Sequence, residues 1–191
     1  MTRHLDLGCG GVPRNPYQRD RLYGVDLAVA APNEQFKAAN LALHPIPFAD
    51  NFFDSVSAYD FLEHVPRIMP TADGRSTRAP FIELMNEIWR VLQPGGLFYG
   101  QTPAYPHQAA FQDPTHVNFI THDTHHYFAR PQLTARMYGY IGDFEVLRVV
   151  RIKPTSAYHP KVIGLAERTR HYFRERRGAC SHLVWEFKAC K

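Results

Sequence analysis

Cysteine is scarce in this chain of 191 residues, which holds only Cys9, Cys180 and Cys190. An odd set without paired Cys-x-x-Cys spacing builds neither a disulfide framework nor a zinc ribbon, and it suits a chain kept reduced. Long apolar runs are also missing: nothing approaches the roughly 18 residues that cross a bilayer. Met1-Thr2-Arg3-His4 leads into an apolar strand without the core of a signal peptide. These absences predict a soluble, cytoplasmic protein with no membrane partner. Internal repeats and low-complexity tracts are absent too. Net charge is small at +4 but uneven, since residues 1–150 hold 12 Lys/Arg against 15 Asp/Glu and residues 151–191 hold 10 against 3. A basic C-terminal stretch admits an anionic partner and is equally what a solvated helix face carries.

What the chain does have is enough apolar matter for one core, with 45% hydrophobic and 13% aromatic residues. It is organised around His4-Leu5-Asp6-Leu7-Gly8-Cys9-Gly10-Gly11-Val12-Pro13, an apolar run that closes on a carboxylate and breaks into glycines. That pattern predicts a buried strand over residues 3–7 feeding a tight turn that exposes backbone N–H groups. A short helix is expected over Pro13–Arg21. The second strand, Leu22-Tyr23-Gly24-Val25-Asp26, ends on an acid 20 residues after Asp6. Such an acid, at the tip of the neighbouring strand, accepts hydrogen bonds from ribose hydroxyls. Pro13 stands where a dinucleotide site needs its third small residue, which disfavours a pyrophosphate-bridged ligand.

Further along, a third short strand is expected to end near Asn40-Leu41, and a fourth covers Ser55–Tyr59. Residues 68–80 have the Pro/Gly/Ser/Thr content of a loop and carry Arg75 and Arg78. Phe81, Leu84, Met85, Ile88, Val91 and Leu92 recur at helical steps up to Pro94-Gly95-Gly96. A strand follows at Leu97–Thr102, then an irregular segment from Ala104 to Tyr127 rich in His, Pro and aromatics. A short helix over Gln132–Tyr140, a strand over Phe144–Val150, a helix over 163–177 and a final strand over Leu183–Phe187 complete the chain.

Several stretches together resemble the class I S-adenosylmethionine-dependent methyltransferases, in their small single-domain form. Asp6-Leu7-Gly8-Cys9-Gly10-Gly11 resembles the first motif and Tyr23-Gly24-Val25-Asp26-Leu27 the second-strand acid. Ile46-Pro47-Phe48 with Phe53-Asp54, Phe61-Leu62-Glu63-His64-Val65, and Glu83–Arg90 with Val91-Leu92-Gln93-Pro94-Gly95-Gly96 resemble the segments around strands four and five. The resemblance implies an α/β fold: a three-layer Rossmann-like sheet of about seven mostly parallel strands, with an antiparallel C-terminal strand and helices on both faces. It also implies one domain over residues 1–191, in which 1–103 bind the cofactor and 104–191 supply the substrate side and the last strands.

For S-adenosylmethionine as cofactor, the resemblance places Gly8, Cys9 and Gly10 against the methionine part, with Asp6 supporting the turn. Asp26 would hold the ribose hydroxyls, Leu27 would pack on adenine, and Asn40 and Leu41 would bound the adenine edge. Tyr59 and Asp60 would meet the amino-acid end, although Asp60 could instead cap the following helix.

Methyl transfer needs a base only where the acceptor is protonated at neutral pH, as a hydroxyl is. Candidates are His107, Asp113, His116, His122, Asp123, His125 and His126, with His64 in the segment after strand four. Asp113-Pro114-Thr115-His116-Val117-Asn118 follows strand five at the edge where the pocket opens, which favours His116 as general base or substrate anchor. Thr121–His126 lacks a ligand spacing, so no metal is expected. Residues 68–80 are expected to act as a substrate lid, with Arg75 and Arg78 meeting an anionic group.

The function expected is methyl transfer to a small-molecule or saccharide acceptor, possibly anionic, at a hydroxyl, by a monomer or homodimer. A nucleic-acid or protein acceptor is the alternative drawn from the basic C-terminal stretch. A non-catalytic S-adenosylmethionine-binding protein is another. Tyr158, Tyr172, Phe173 and Trp185 do not interleave with the arginines as a base-stacking platform would, which weighs against nucleic acid.

Overall fold

The computed structural model describes residues 1–153 and 164–191. Its strands are β1 (Arg3–Leu7), β2 (Arg21–Asp26), β3 (Phe36–Ala38), β4 (Phe53–Tyr59), β5 (Met69–Pro70), β6 (Thr77–Arg78), β7 (Leu92–Pro103), β8 (Phe144–Ile152) and β9 (His182–Ala189). Seven of them form one sheet in the order β3-β2-β1-β4-β7-β9-β8. Pairing is parallel from β3 through β7, while β9 runs antiparallel to both β7 and β8. The expected sheet of seven mostly parallel strands with one antiparallel strand at the C-terminus is therefore present.

Helix α1 (Pro80–Val91) covers one face of the sheet. Its apolar residues fall three and four apart, so Phe81, Leu84, Met85, Ile88 and Val91 are all buried on one side. They pack on Leu5, Leu7, Val25, Val56, Ala58, Phe98, Trp185 and Phe187. Burial of each such side chain contributes about 1.5–3 kcal/mol, so this layer dominates the stability of the fold. Pro80 starts the helix where its missing N–H costs nothing, and Arg90 lies in the last turn where a cation suits the dipole.

The short helix expected over Pro13–Arg21 is not formed. Pro13 and Pro16 remove two N–H donors, and Asn15 closes the loop on Arg19 by bonding both its N–H and its carbonyl. The segment is instead a strap across the other face of the sheet. Tyr17 Oη donates to Glu186 at 3.2 Å, Arg19 Nε donates to Ser55 at 3.3 Å, and the Arg14 guanidinium lies 4.6 Å above the Tyr59 ring.

Beneath the strap this face is polar. His4 shares hydrogen bonds with the hydroxyls of Ser55 and Ser57, both at 2.8 Å, and Ser57 donates to Asp6 at 2.6 Å. Burial drives the His4 pKa down to about 3, helped by the Arg19 charge, and drives Asp6 up to about 6 against the pull of Ser57.

Three further boundaries differ from expectation. The third strand ends at Ala38, because Asn40 Oδ1 accepts from Ala42 N and the Asn40 carbonyl accepts from His44 N, turning the chain. Residues 68–80 are a small hairpin, β5–β6, whose turn is tied by Thr71, Asp73 and Ser76. The helix expected over Gln132–Tyr140 is a 3₁₀ turn over Thr134–Tyr138, and α2 spans Leu165–Arg176. Residue 163 and Tyr158 lie outside the described residues.

Candidate functional site

At the C-terminal tip of β1 the chain must turn within a few atoms of its neighbours. Gly8 has φ +64°, and a Cβ there would meet the Phe61 ring at 2.7 Å, so only glycine fits. Gly10 also has positive φ. Gly8 N and Cys9 N both donate to the Val25 carbonyl, at 2.9 and 3.3 Å. The turn is thus stitched to β2.

Asp26, at the tip of β2, takes one N–H on each carboxylate oxygen: Gly10 N at 2.8 Å and Ala28 N at 3.1 Å. Each oxygen keeps a further lone pair. Ala39 N donates to the Asp26 carbonyl, which brings Asn40 beside the acid. Leu27 is 71% exposed next to it, whereas Leu41 is buried in the core.

Cys9 is buried with its sulfur against Gly24, and burial pushes its thiol up to about 11. It is a packing residue without thiolate chemistry. Asp6 accepts from Arg14 N at 2.8 Å, which holds the far side of the turn.

Tyr59 is buried against Tyr99, with ring centroids 5.1 Å apart. Asp60 caps no helix: the 3₁₀ turn over Leu62–His64 has no side-chain cap. Asp60 instead sits at φ +48° with Oδ1 3.2 Å from His182 Nε2, and its N–H is fixed on the Gln101 carbonyl at 2.9 Å. A non-glycine residue held in this conformation marks a place where the surroundings over-determine the backbone.

The irregular segment after β7 folds back onto the turn after β4. Val117 N and Asn118 N both donate to the Glu63 carbonyl, at 2.8 and 3.0 Å. Asn118 Nδ2 donates to the carbonyls of Leu62 and Val65 as well. This clamp places His116 beside His64, with ring centroids 4.8 Å apart.

Below both rings lies Glu63, whose Oε1 is 4.0 Å from His116 Nε2. Burial, reinforced by Asp60 and Asp113, pushes the Glu63 carboxyl up to about 8. Asp113 Oδ2 lies 3.9 Å from the same His116 Nε2, and Thr115 Oγ1 is 2.9 Å from His64 Nδ1.

His116 Nδ1 is 3.2 Å from the Ala110 carbonyl, an atom that can only accept. The proton therefore belongs on Nδ1, and Nε2 presents a lone pair. No role is evident for Glu63 in the sequence, where it is one letter of a motif. Its depth becomes visible only once residues 50 positions later close over it.

Among the other candidate histidines, His107, His122 and His125 are occupied elsewhere. His107 Nδ1 accepts from Ala109 N and caps a 3₁₀ turn. His125 Nδ1 bonds the His122 carbonyl, and His122 pairs with exposed Asp123. Arg78 lines the cavity beside this end of the site, with its guanidinium held by Glu83 and the Leu43 carbonyl. Arg75 is exposed at the hairpin tip.

Beside this end of the site lies a cavity of about 860 Å³, lined among others by Arg67, Phe81, Asn118, Phe119, Tyr127 and Tyr138. Arg67 is fixed at it, with Nε donating to Asn118 Oδ1 at 3.1 Å and its guanidinium over the Phe119 ring. A slightly larger cavity of about 920 Å³ opens beside Arg21, Glu34 and Phe48. It lies at the N-terminal end of β2, away from the strand tips that carry the chemistry.

Residues 5–100 match the family described as a methyltransferase domain. No curated protein matches the chain. Among solved structures, a Haloferax volcanii putative methyltransferase in complex with the Trm112 methyltransferase activator shares 16% identity at TM-score 0.58, covering 100% of this chain and 83% of that one. An Archaeoglobus fulgidus S-adenosylmethionine-dependent methyltransferase shares 15% at TM-score 0.54, with 98% and 86% covered. The [4+2]-cyclase SpnF shares 17% at TM-score 0.54, with 99% and 74% covered. These likenesses are of fold. Among the described residues no helix is long and apolar enough to cross a membrane.

Proposed function

Because this chain belongs to the methyltransferase-domain family, a class I S-adenosylmethionine-dependent methyltransferase, we propose that it methylates a hydroxyl of a small-molecule acceptor, with a saccharide as the acceptor class. One observation carries this reading: the His116 Nε2 lone pair, with its tautomer set by the Ala110 carbonyl, stands at the C-terminal edge beside the turn after β4. A hydroxyl is the acceptor that needs such a group, because its proton must leave as the new bond forms.

The residues at the glycine turn fit the cofactor. The backbone of Gly8–Gly10 leaves space where a Cβ at Gly10 would meet nothing within 4 Å, and Asp26 keeps lone pairs for two ribose hydroxyls. Leu27 and Asn40 are assigned to adenine, and Tyr59 and Asp60 to the amino-acid end. S-adenosylmethionine bound there supplies an electrophilic methyl group on sulfur. The chain's own work is to orient the acceptor oxygen and to receive its proton at His116 Nε2, with His64 packed against that ring.

The aromatic cavity supports a small acceptor, since rings flanked by a few polar groups suit a ligand with one apolar face. Against a nucleic-acid acceptor, several C-terminal cations are already engaged. Arg151 faces Glu175 at 3.7 Å, Lys188 pairs with Glu145 at 3.1 Å, and Lys191 caps the end of α1 through Arg90 and Leu92 carbonyls.

The test is steady-state S-adenosylhomocysteine formation with a panel of free and activated sugars, comparing wild type with His116→Ala. Loss of a general base lowers kcat by about 10²–10⁴-fold. A variant that keeps the wild-type kcat on an accepted sugar would overturn the assignment.

A further inference from the structure

The turn after β4 and the segment after β7 bring the side chains of Glu63, His64 and His116 together. Glu63 Oε2 is satisfied by the Thr102 hydroxyl at 3.0 Å, but Oε1 has no hydrogen-bond partner although the residue is only 1% exposed. A buried carboxylate oxygen left in this state is costly, so something ordinarily fills the space. His116 Nε2 faces that oxygen with a lone pair, for the reason given by the Ala110 carbonyl. At His64, Thr115 Oγ1 is 2.9 Å from Nδ1 and 2.7 Å from Asp113 Oδ1. With the Thr115 hydrogen on the carboxylate, His64 Nδ1 donates and its Nε2 also carries a lone pair. One ligand atom from each of Glu63, His64 and His116 lies within 4.8 Å of the others.

We propose that Glu63, His64 and His116 form a site for a first-row divalent cation of the Zn²⁺ type. Two imidazole nitrogens and one carboxylate oxygen are a ligand set that zinc takes in catalytic centres with a position left open. Ligand atoms around tetrahedral zinc stand about 3.4 Å apart, so the three side chains need to close by roughly 1 Å. Both rings are already oriented from behind, His116 by the Ala110 carbonyl and His64 by Thr115, as metal-bound histidines are. Asp113, 3.9 Å from His116 Nε2, adds negative charge at the rim.

With the cation bound, the His116 Nε2 lone pair would be committed to it. A hydroxyl at the open position would be made more acidic, its proton passing to the Asp113 carboxylate at the rim in place of His116 as the bond to the methyl carbon forms. Only this last step rests on the acceptor reading above; the cation site itself does not.

Zinc uptake by the full-length protein, measured by competition with a chromophoric chelator and by metal content, tests the proposal. Wild type should bind one equivalent, Glu63→Gln and His116→Ala should each bind at least about tenfold more weakly, and His126→Ala should match wild type. Mg²⁺ should not compete, because nitrogen donors do not suit it. S-adenosylhomocysteine binding retained by each variant shows that it is folded. Failure of wild type to take up zinc, or uptake undiminished in both ligand variants, would overturn the site. Should zinc fail to bind while His116→Ala still loses turnover, the acceptor assignment stands without the cation. Should zinc bind while His116→Ala keeps its turnover, the cation stands and the acceptor assignment falls.

Discussion

The two ends of the site are built in opposite ways. The cofactor end is local: Asp6, Gly8, Gly10 and Asp26 lie within 21 consecutive residues, and two adjacent strand tips bring them together. The acceptor end is assembled across the chain, since His116 meets Glu63 only because Val117 and Asn118 hydrogen-bond back across more than 50 positions. The two ends touch where Gly8 packs under Phe61. The local end depends on backbone conformation, and the distant end on side-chain contacts that hold a loop in place.

That contrast is broken most severely at Gly8. A side chain there suffers both the positive φ and the 2.7 Å approach to Phe61. Gly8→Ala is expected to cost about 1–2 kcal/mol for the backbone conformation and about 1–3 kcal/mol for the overpacked contact. Thermal unfolding should show a midpoint lower by about 5–15 °C. Adding Phe61→Ala should recover the contact part and leave the backbone part. Full recovery in the double variant would mean that conformation plays no role.

A smaller effect sharpens the picture beneath the strap. His4 has its pKa lowered to about 3, so its contribution is complete above pH 6.5 and is lost as pH falls toward 3. Asp6 has its pKa raised to about 6, so its contribution is complete below pH 3.8 and is lost as pH rises through 6. Between pH 6 and pH 4, unfolding takes up a proton at His4 and releases one at Asp6, and the two cancel. Asp6→Asn removes the second, and its unfolding free energy should then fall by about 1.4 kcal/mol per pH unit relative to wild type over that range. Denaturant titrations at pH 6, 5 and 4 measure this, and parallel curves for the two proteins would contradict it.

The local end was legible in the sequence because glycine and aspartate announce a turn and a strand tip by spacing alone. Helix α1 was legible from its three- and four-residue apolar steps, and the parallel sheet from apolar runs closing on acids. Residues 13–21 misled because a helix and a strap differ there only in partners: Glu186, 169 positions from Tyr17, decides between them. Glu63 gave no sign for the same reason, since its burial depends on the return of Asn118. Arg78 looked free until the hairpin turned it onto Glu83.

The division between the ends is tested most directly by calorimetric titration of S-adenosylhomocysteine into Asp26→Ala and His116→Ala. Asp26→Ala is expected to weaken binding at least about tenfold, through loss of hydrogen bonds to a charged group worth about 1.5–3 kcal/mol, while His116→Ala stays within about twofold of wild type. Equal affinity in wild type and Asp26→Ala, or the larger loss in His116→Ala, would contradict it.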